Sequence, residues 1–301
     1  MMNYLYSFLY CIITAASVVF AHSVTQTISP ITAAFLTFVV CLLWFNIVNY
    51  KLAKKTYRTC QNNLSLIFLI NLATAINWIT TFLAIKYISP VLFVAVFMAL
   101  MPIMIYLLQL ILLKKPLNRI DLCSSLIIIF LVSLLVYSQT PAVFDQKLYW
   151  MSLALTALSS LSAAAYFIWS KRAQDKLSLN PTQILSIRFY LLVTVSAVCI
   201  LLQSHFSMTG GFVHFYGKII LLSLLTSIIP LFFLQKSIQK IGAVKTSFFM
   251  PMTPIFTFLL VMLTHGKINF STILVLLLLT LLLLSHSFYS NRKPKLKIQN
   301  A

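Results

Sequence analysis

Apolar runs of about twenty residues alternate along the chain with short polar breaks, and a run of that length crosses the hydrocarbon core of a bilayer as a helix. Read between breaks, the pattern predicts spans near residues 4–22, 31–50, 64–84, 90–112, 120–138, 148–169, 182–202, 216–235, 243–263 and 270–289. The breaks carry turn and breaker residues, as at Ser29-Pro30, Ser89-Pro90, Asn180-Pro181, Gly210-Gly211 and Gly242. Lipid offers no partner to an open strand edge, so the spans are expected to be helices, and leucine-rich runs of this length exclude a barrel. The first run lacks a basic leader and is long for a signal peptide, which predicts an uncleaved span. The fold class is therefore all-α integral membrane, with ten transmembrane helices.

Composition agrees. Hydrophobic residues make up 61% of the 301 and charged residues 8%, against about 25% charged in soluble domains. A soluble fold of this size still exposes about a quarter of its unfolded surface and could not keep so much apolar area from water. The net charge of +19 is not laid out as a basic groove interleaved with stacking aromatics, so no nucleic-acid partner is expected. It gathers in the breaks. With the N-terminus inside, sixteen Lys and Arg fall in inside segments and only Lys86, Lys147, Lys218 and Lys267 outside, while Arg188 and Lys245 lie within spans. The positive-inside rule then places both termini in the cytoplasm, as expected of a multi-pass protein of a bacterial inner membrane. The five cysteines are scattered without metal-ligand spacing, so neither a metal site nor a disulfide framework is expected.

Three matches at an offset of about 150 suggest an internal repeat. Ser29-Pro30 ahead of Thr37-Phe38 corresponds to Asn180-Pro181 ahead of Arg188-Phe189; Ala84-Ile85 and Ile88-Ser89 to Ser237-Ile238 and Ile241-Gly242; and Pro102 to Pro254. A five-helix unit used twice enters the membrane from opposite sides, because five is odd. That makes two inverted five-helix repeats, residues 1–140 and 141–290, followed by a basic cytoplasmic tail at 291–301. Transporters built this way hold substrate near the midplane between the halves.

The segments LAIKYISPVLFVAVFMALMPIMIYLLQLILLKKPL (83–117) and SIQKIGAVKTSFFMPMTPIFTFLLVMLTHGKI (237–268), with NPTQILSIRFYLLV (180–193), resemble signatures of the EamA family in the drug/metabolite transporter (DMT) superfamily. The resemblance implies two inverted five-helix repeats around a cavity lined by spans 1, 3, 4, 6, 8 and 9. One departure bears on mechanism. Where the family usually carries Gly-Glu after the fourth helix of each repeat, this chain reads Lys114-Lys115 and Gly266-Lys267. It has no Glu, and Asp121, Asp145 and Asp175 sit beside basic residues between apolar runs. A carboxylate-based exchange of protons for cationic drugs therefore has no carrier.

Candidate site residues follow from what is costly or adaptable inside a membrane. Asn77 and Trp78 are the deepest polar groups of the third span, next to Asn71; their amides serve either a substrate or helix–helix contacts. Met98, Met101, Phe249 and Met252 supply an adaptable apolar wall around Pro102, Pro251 and Pro254, which are expected to kink the fourth and ninth spans as hinges. Lys245 opens the ninth span, where its charge opposes the helix dipole. Arg188 is either a fork for a carboxylate or phosphate or a snorkelling side chain, and snorkelling is favoured because the family resemblance makes the seventh helix peripheral. On that basis Lys245 is expected to matter more than Arg188. Tyr166 and Trp169, at the end of the sixth span, either line the cavity or form an interfacial aromatic belt, and the belt is favoured. No nucleophile–base pair, phosphate loop or metal cluster is present in the pattern, so no enzyme activity and no cofactor are expected.

The function expected is transport of a small metabolite, zwitterionic or anionic and amino-acid-like, by alternating access. The alternatives are a lipophilic drug or toxin exporter and a non-transporting membrane scaffold. The expected partners are a small-molecule solute and membrane lipid, with the chain a monomer or homodimer.

Overall fold

The computed structural model describes residues 2–113, 119–138, 146–202, 212–242, 246, 249–265 and 270–291. Among them the regular elements are helices: α1 (Met2–Thr27), α2 (Pro30–Val48), α3 (Ala53–Gln61), α4 (Leu64–Tyr87), α5 (Pro90–Leu113), α6 (Arg119–Ser138), α7 (Gln146–Leu177), α8 (Pro181–Ile187), α9 (Tyr190–Leu202), α10 (Phe212–Ser223), α11 (Ile229–Ile241), α12 (Thr253–His265) and α13 (Phe270–Asn291). Proline opens α2, α5 and α8, where its missing N–H has no intrahelical bond to lose.

Among the described residues, seven stretches are long and apolar enough to cross a membrane: Tyr4–Thr27, Pro30–Val48, Leu64–Tyr87, Pro90–Ile111, Gln146–Leu177, Pro181–Leu202 and Tyr216–Ile241. The sixth of these joins α8 to α9, and the seventh joins α10 to α11 through a π-helical turn at Leu224–Ile228. At the expected fifth, ninth and tenth spans the apolar helices are shorter, Ser125–Tyr137, Thr253–Leu263 and Ile273–Leu282. Much of the expected beginning of the ninth span, 243–245 and 247–248, lies outside the described residues.

Packing follows the two-repeat pattern. α4 lies most extensively against α7, and its counterpart pair, the α10–α11 span against α1, is also close. The remaining contacts pair up in the same way: α5 on α7 corresponds to α12 on α1, and α4 on α9 to α10 on α2. The counterparts α2 and α8–α9 meet each other, as do α5 and α12, and α6 and α13. Where α2 meets α8, the end of one lies beside the start of the other. Asn49 Nδ2 donates to the Thr182 carbonyl at 2.9 Å, and Asn46 Nδ2 to that of Ser186 at 3.2 Å. α2 and α8 thus run antiparallel.

Small side chains let the central helices approach. α7 presents a buried row of Ser152, Thr156, Ser159, Ala163 and Ser170, the kind of surface that brings helix backbones together in lipid. Ser159 donates to the Asn77 Oδ1 at 2.8 Å and shares a bond with Thr81, and Ser160 donates to the Phe97 carbonyl at 3.1 Å. His22 bonds the Ile85 carbonyl and fixes the end of α1 to that of α4.

The seventh span departs from expectation. A continuous helix over 182–202 is expected, but α8 ends at Ile187 and α9 begins at Tyr190. Between them stands Arg188.

Candidate transport cavity around Arg188

The break has an identifiable cause. In an uninterrupted helix the Leu191 N–H would donate to the Ile187 carbonyl, four residues earlier. Here the Asn71 amide of α4 stands between them. Its Nδ2 donates to the Ile187 carbonyl at 2.8 Å, and its Oδ1 accepts from the Leu191 N–H at 3.3 Å. A side chain inserted into the hydrogen-bond ladder bends a helix, and both freed backbone groups stay satisfied. Helix–helix contact is one of the two roles foreseen for the amides of this span, and Asn71 fills it at one place, the break beside Arg188.

Arg188 does not snorkel. It is 1% exposed. Its guanidinium carbon lies 3.6 Å from the Tyr166 ring centroid and 4.9 Å from that of Phe189. Its Nε donates to the Thr74 hydroxyl at 3.3 Å, while its Nη1 is buried without a hydrogen-bond partner among the described residues. Tyr166 is held in turn: its hydroxyl donates to the Gln235 side chain, whose Nε2 donates to Ser170 at 2.7 Å. Tyr166 is 2% exposed, so it belongs to the interior and not to an interfacial belt.

Arg188 lines an internal cavity together with Tyr10 and Thr14 of α1, Asn77 and Trp78 of α4, Met98 and Met101 of α5, and Tyr166 of α7. Thr226 and Leu234 of the eighth span and Met250, ahead of α12, complete the wall. The space measures about 70 Å³, where one water needs about 10–15 Å³ on the same measure, so several waters or a small solute fit. Among the described residues no Asp or Glu lines it, and a second donor, Trp78 Nε1, is also buried without a partner. Rings connect the two: Trp78 lies 4.8 Å from Phe38, and Phe38 stacks at 5.1 Å on Phe189. Phe38 and Phe189 are the counterpart positions of the two repeats, so the pseudo-symmetry meets itself beside the cavity.

Asn77, Trp78, Met98 and Met101 are thus brought together. Phe249 and Met252 are not among the lining residues; Met250 between them is, at 1% exposure. The Phe249 carbonyl instead accepts from the Cys11 thiol at 3.2 Å, and its ring lies 5.5 Å from Tyr4. The reason is local geometry: Met250–Met252 form a 3-10 turn, whose three-residue repeat turns Met250 inward and its neighbours aside. Of the hinge prolines, Pro102 lies inside α5 and leaves the Met98 carbonyl without its helical donor. Pro251 falls in the 3-10 turn and Pro254 in the first turn of α12, and most of the segment just ahead of them lies outside the described residues. Lys245 lies outside the described residues.

The arrangement offers a fixed positive charge and an indole donor to whatever enters an otherwise apolar, aromatic space. Among the described residues no group of His, Cys or acidic side chains could hold a metal ion. Sequence reasoning missed Thr74, Tyr10 and Gln235. Their signal was present, as polar residues inside apolar runs, but Ser and Thr are too common in membrane helices to stand out.

Comparison with known proteins follows from this geometry. Residues 1–137 and 150–285 each match the EamA-like transporter family. No curated protein matches the chain. A solved structure, described only as the crystal structure of a protein, superposes with a TM-score of 0.68 at 14% identity, over 100% of this chain and 99% of that one. At that identity the likeness is one of fold.

Proposed function

Since the chain belongs to the EamA-like transporter family of the DMT superfamily, we propose that it carries a small carboxylate-bearing metabolite, zwitterionic or anionic and amino-acid-like, across a bacterial inner membrane, with Arg188 as the carboxylate anchor. The observation that carries this reading is the buried Arg188, whose Nη1 has no partner among the described residues, on the wall of a cavity that none of their acids lines. A charge held in a membrane interior without a counter-ion is costly and marks a functional site by default. At an effective dielectric near 20, a carboxylate about 4 Å from it gains roughly 4 kcal/mol before desolvation.

Transport proceeds by alternating access between the two repeats, with ten spans and both termini in the cytoplasm. The solute's carboxylate takes Nη1 while its body lies against Trp78, Met98 and Met101. With no Glu in the chain, coupling is facilitated diffusion or solute exchange and not carboxylate-based proton antiport. The aromatic and methionine lining also favours a second reading, export of a lipophilic drug or toxin for which Arg188 is incidental.

Counterflow into proteoliposomes separates the two. A panel of amino acids and their 2-oxo acid analogues is expected to contain at least one solute exchanged by the wild type and not by Arg188→Met. Exchange confined to uncharged or cationic lipophiles would overturn the carboxylate reading.

A further inference from the structure

We propose that the groove beside α3 is a binding site for an acidic phospholipid, with the headgroup phosphate on the basic side of α3 and an acyl chain between α4 and α9. α3 is strongly amphipathic and lies between two recesses. Lys51, Lys54, Lys55 and Arg58, with Asn62 and Asn63, line a polar one of about 580 Å³. Tyr57, Cys60 and Gln61 border the other, about 590 Å³, whose walls are Leu64 and Phe68 of α4 and Leu191 of α9. Among the described residues no carboxylate lines either surface.

The helix between them is fastened. The Thr56 hydroxyl accepts from Gln183 Nε2 at 2.7 Å, and the Tyr57 hydroxyl donates to Asn46 Oδ1 at 2.8 Å and contacts that of Tyr190. Three of the four cations, Lys54, Lys55 and Arg58, therefore stand on a fastened helix, with Lys51 in the turn just ahead of it. A topology signal needs only charge in a loop; it needs neither a fastened helix nor an apolar channel next to that charge. Leu64 and Phe68 are 66% and 57% exposed, and from Leu64 to Asn71 the groove follows α4 for about 10 Å toward the membrane interior. Phosphate chemistry satisfies the basic side and hydrocarbon the other, and a phospholipid supplies both in one molecule. Basic clusters at the cytoplasmic surface are drawn to anionic lipid in this way.

The test uses the full-length purified protein in detergent, with dioleoylphosphatidylglycerol or dioleoylphosphatidylcholine added at matched concentration. Native mass spectrometry counts the lipid retained. The wild type is expected to retain the acidic lipid at least about tenfold over the zwitterionic one. Lys54→Gln/Lys55→Gln/Arg58→Gln should lose that preference, whereas Lys293→Gln/Lys295→Gln/Lys297→Gln, which removes the same charge from the tail, should keep it. Equal retention of the two lipids, or an equal loss in the tail variant, would overturn the proposal. So would displacement of the lipid by millimolar inorganic phosphate, which would make the cluster a free-anion site. None of these outcomes depends on what the central cavity carries.

Discussion

Replacing Arg188 by methionine should leave the empty protein as stable as the wild type while abolishing its response to carboxylates. The magnitudes come from the contacts of the guanidinium. Holding an arginine at mid-span costs about 2.5–3.5 kcal/mol. The stack on Tyr166 at 3.6 Å returns up to about 2 kcal/mol, and the long bond to Thr74 roughly 1 kcal/mol at most. Methionine keeps the apolar contact and removes the charge, so the variant should stay within about 0.5 kcal/mol of the wild type, less than about 2 °C in Tm for a chain of this size. A bound carboxylate adds to the wild type alone, about 2.7 kcal/mol at a concentration one hundred times its Kd. Thermal unfolding in detergent micelles, with and without each solute of the counterflow panel, measures both quantities. A loss of more than about 2 kcal/mol by the empty variant would show that Arg188 is a structural keystone, and the reasoning from an uncompensated charge would fail.

Asn71→Ala leaves the Ile187 carbonyl and Leu191 N–H to re-pair and straighten the seventh span, or to stay unsatisfied at about 1–3 kcal/mol each; carboxylate exchange should fall in the wild type and fall no further in Arg188→Met, as uptake of the double variant will read. Arg188→Met should impair exchange more than Lys245→Ala, the reverse of the order the sequence suggests, and equal effects in counterflow would contradict the assignment of the anchor. An imposed pH gradient should not drive concentrative uptake of any panel member; if it does, a tyrosine or histidine supplies the proton site. Reporter fusions after residues 60 and 295 should be active in the cytoplasm and one after residue 145 inactive, and a periplasmic tail would refute both the orientation and the ten-span topology.

Long-range order in this chain was legible where it depends on what a side chain does in lipid. Runs of about twenty apolar residues can only be helices, because every backbone polar group must be satisfied within its own segment. The offset near 150 that relates Thr37-Phe38 to Arg188-Phe189 carried the repeat. Asn77, Trp78, Met98 and Met101 could be singled out because amides, indoles and thioethers in hydrocarbon need a reason. The amphipathic α3 lay hidden in what reads as a basic loop, since nine residues are too few to show a helical period beside ten stronger signals.

What periodicity could not reach is direction. Arg188 sits about two turns into its span, where a snorkelling and an inward-facing arginine have the same sequence. Only the packing of α4 on α9 decides between them, by bringing Asn71 into the hydrogen-bond ladder of the seventh span and leaving the guanidinium against Tyr166. Likewise, which of Phe249, Met250 and Met252 meets the cavity depends on a 3-10 turn three residues long, below the resolution of any sequence pattern. Hydrophobic pattern by itself determined that this chain lives in a membrane as paired helical repeats, because burial in lipid is a property of single segments. The cavity, its charge and its donors belong to the tertiary structure, because they arise where side chains from seven spans converge, and no one segment encodes that meeting.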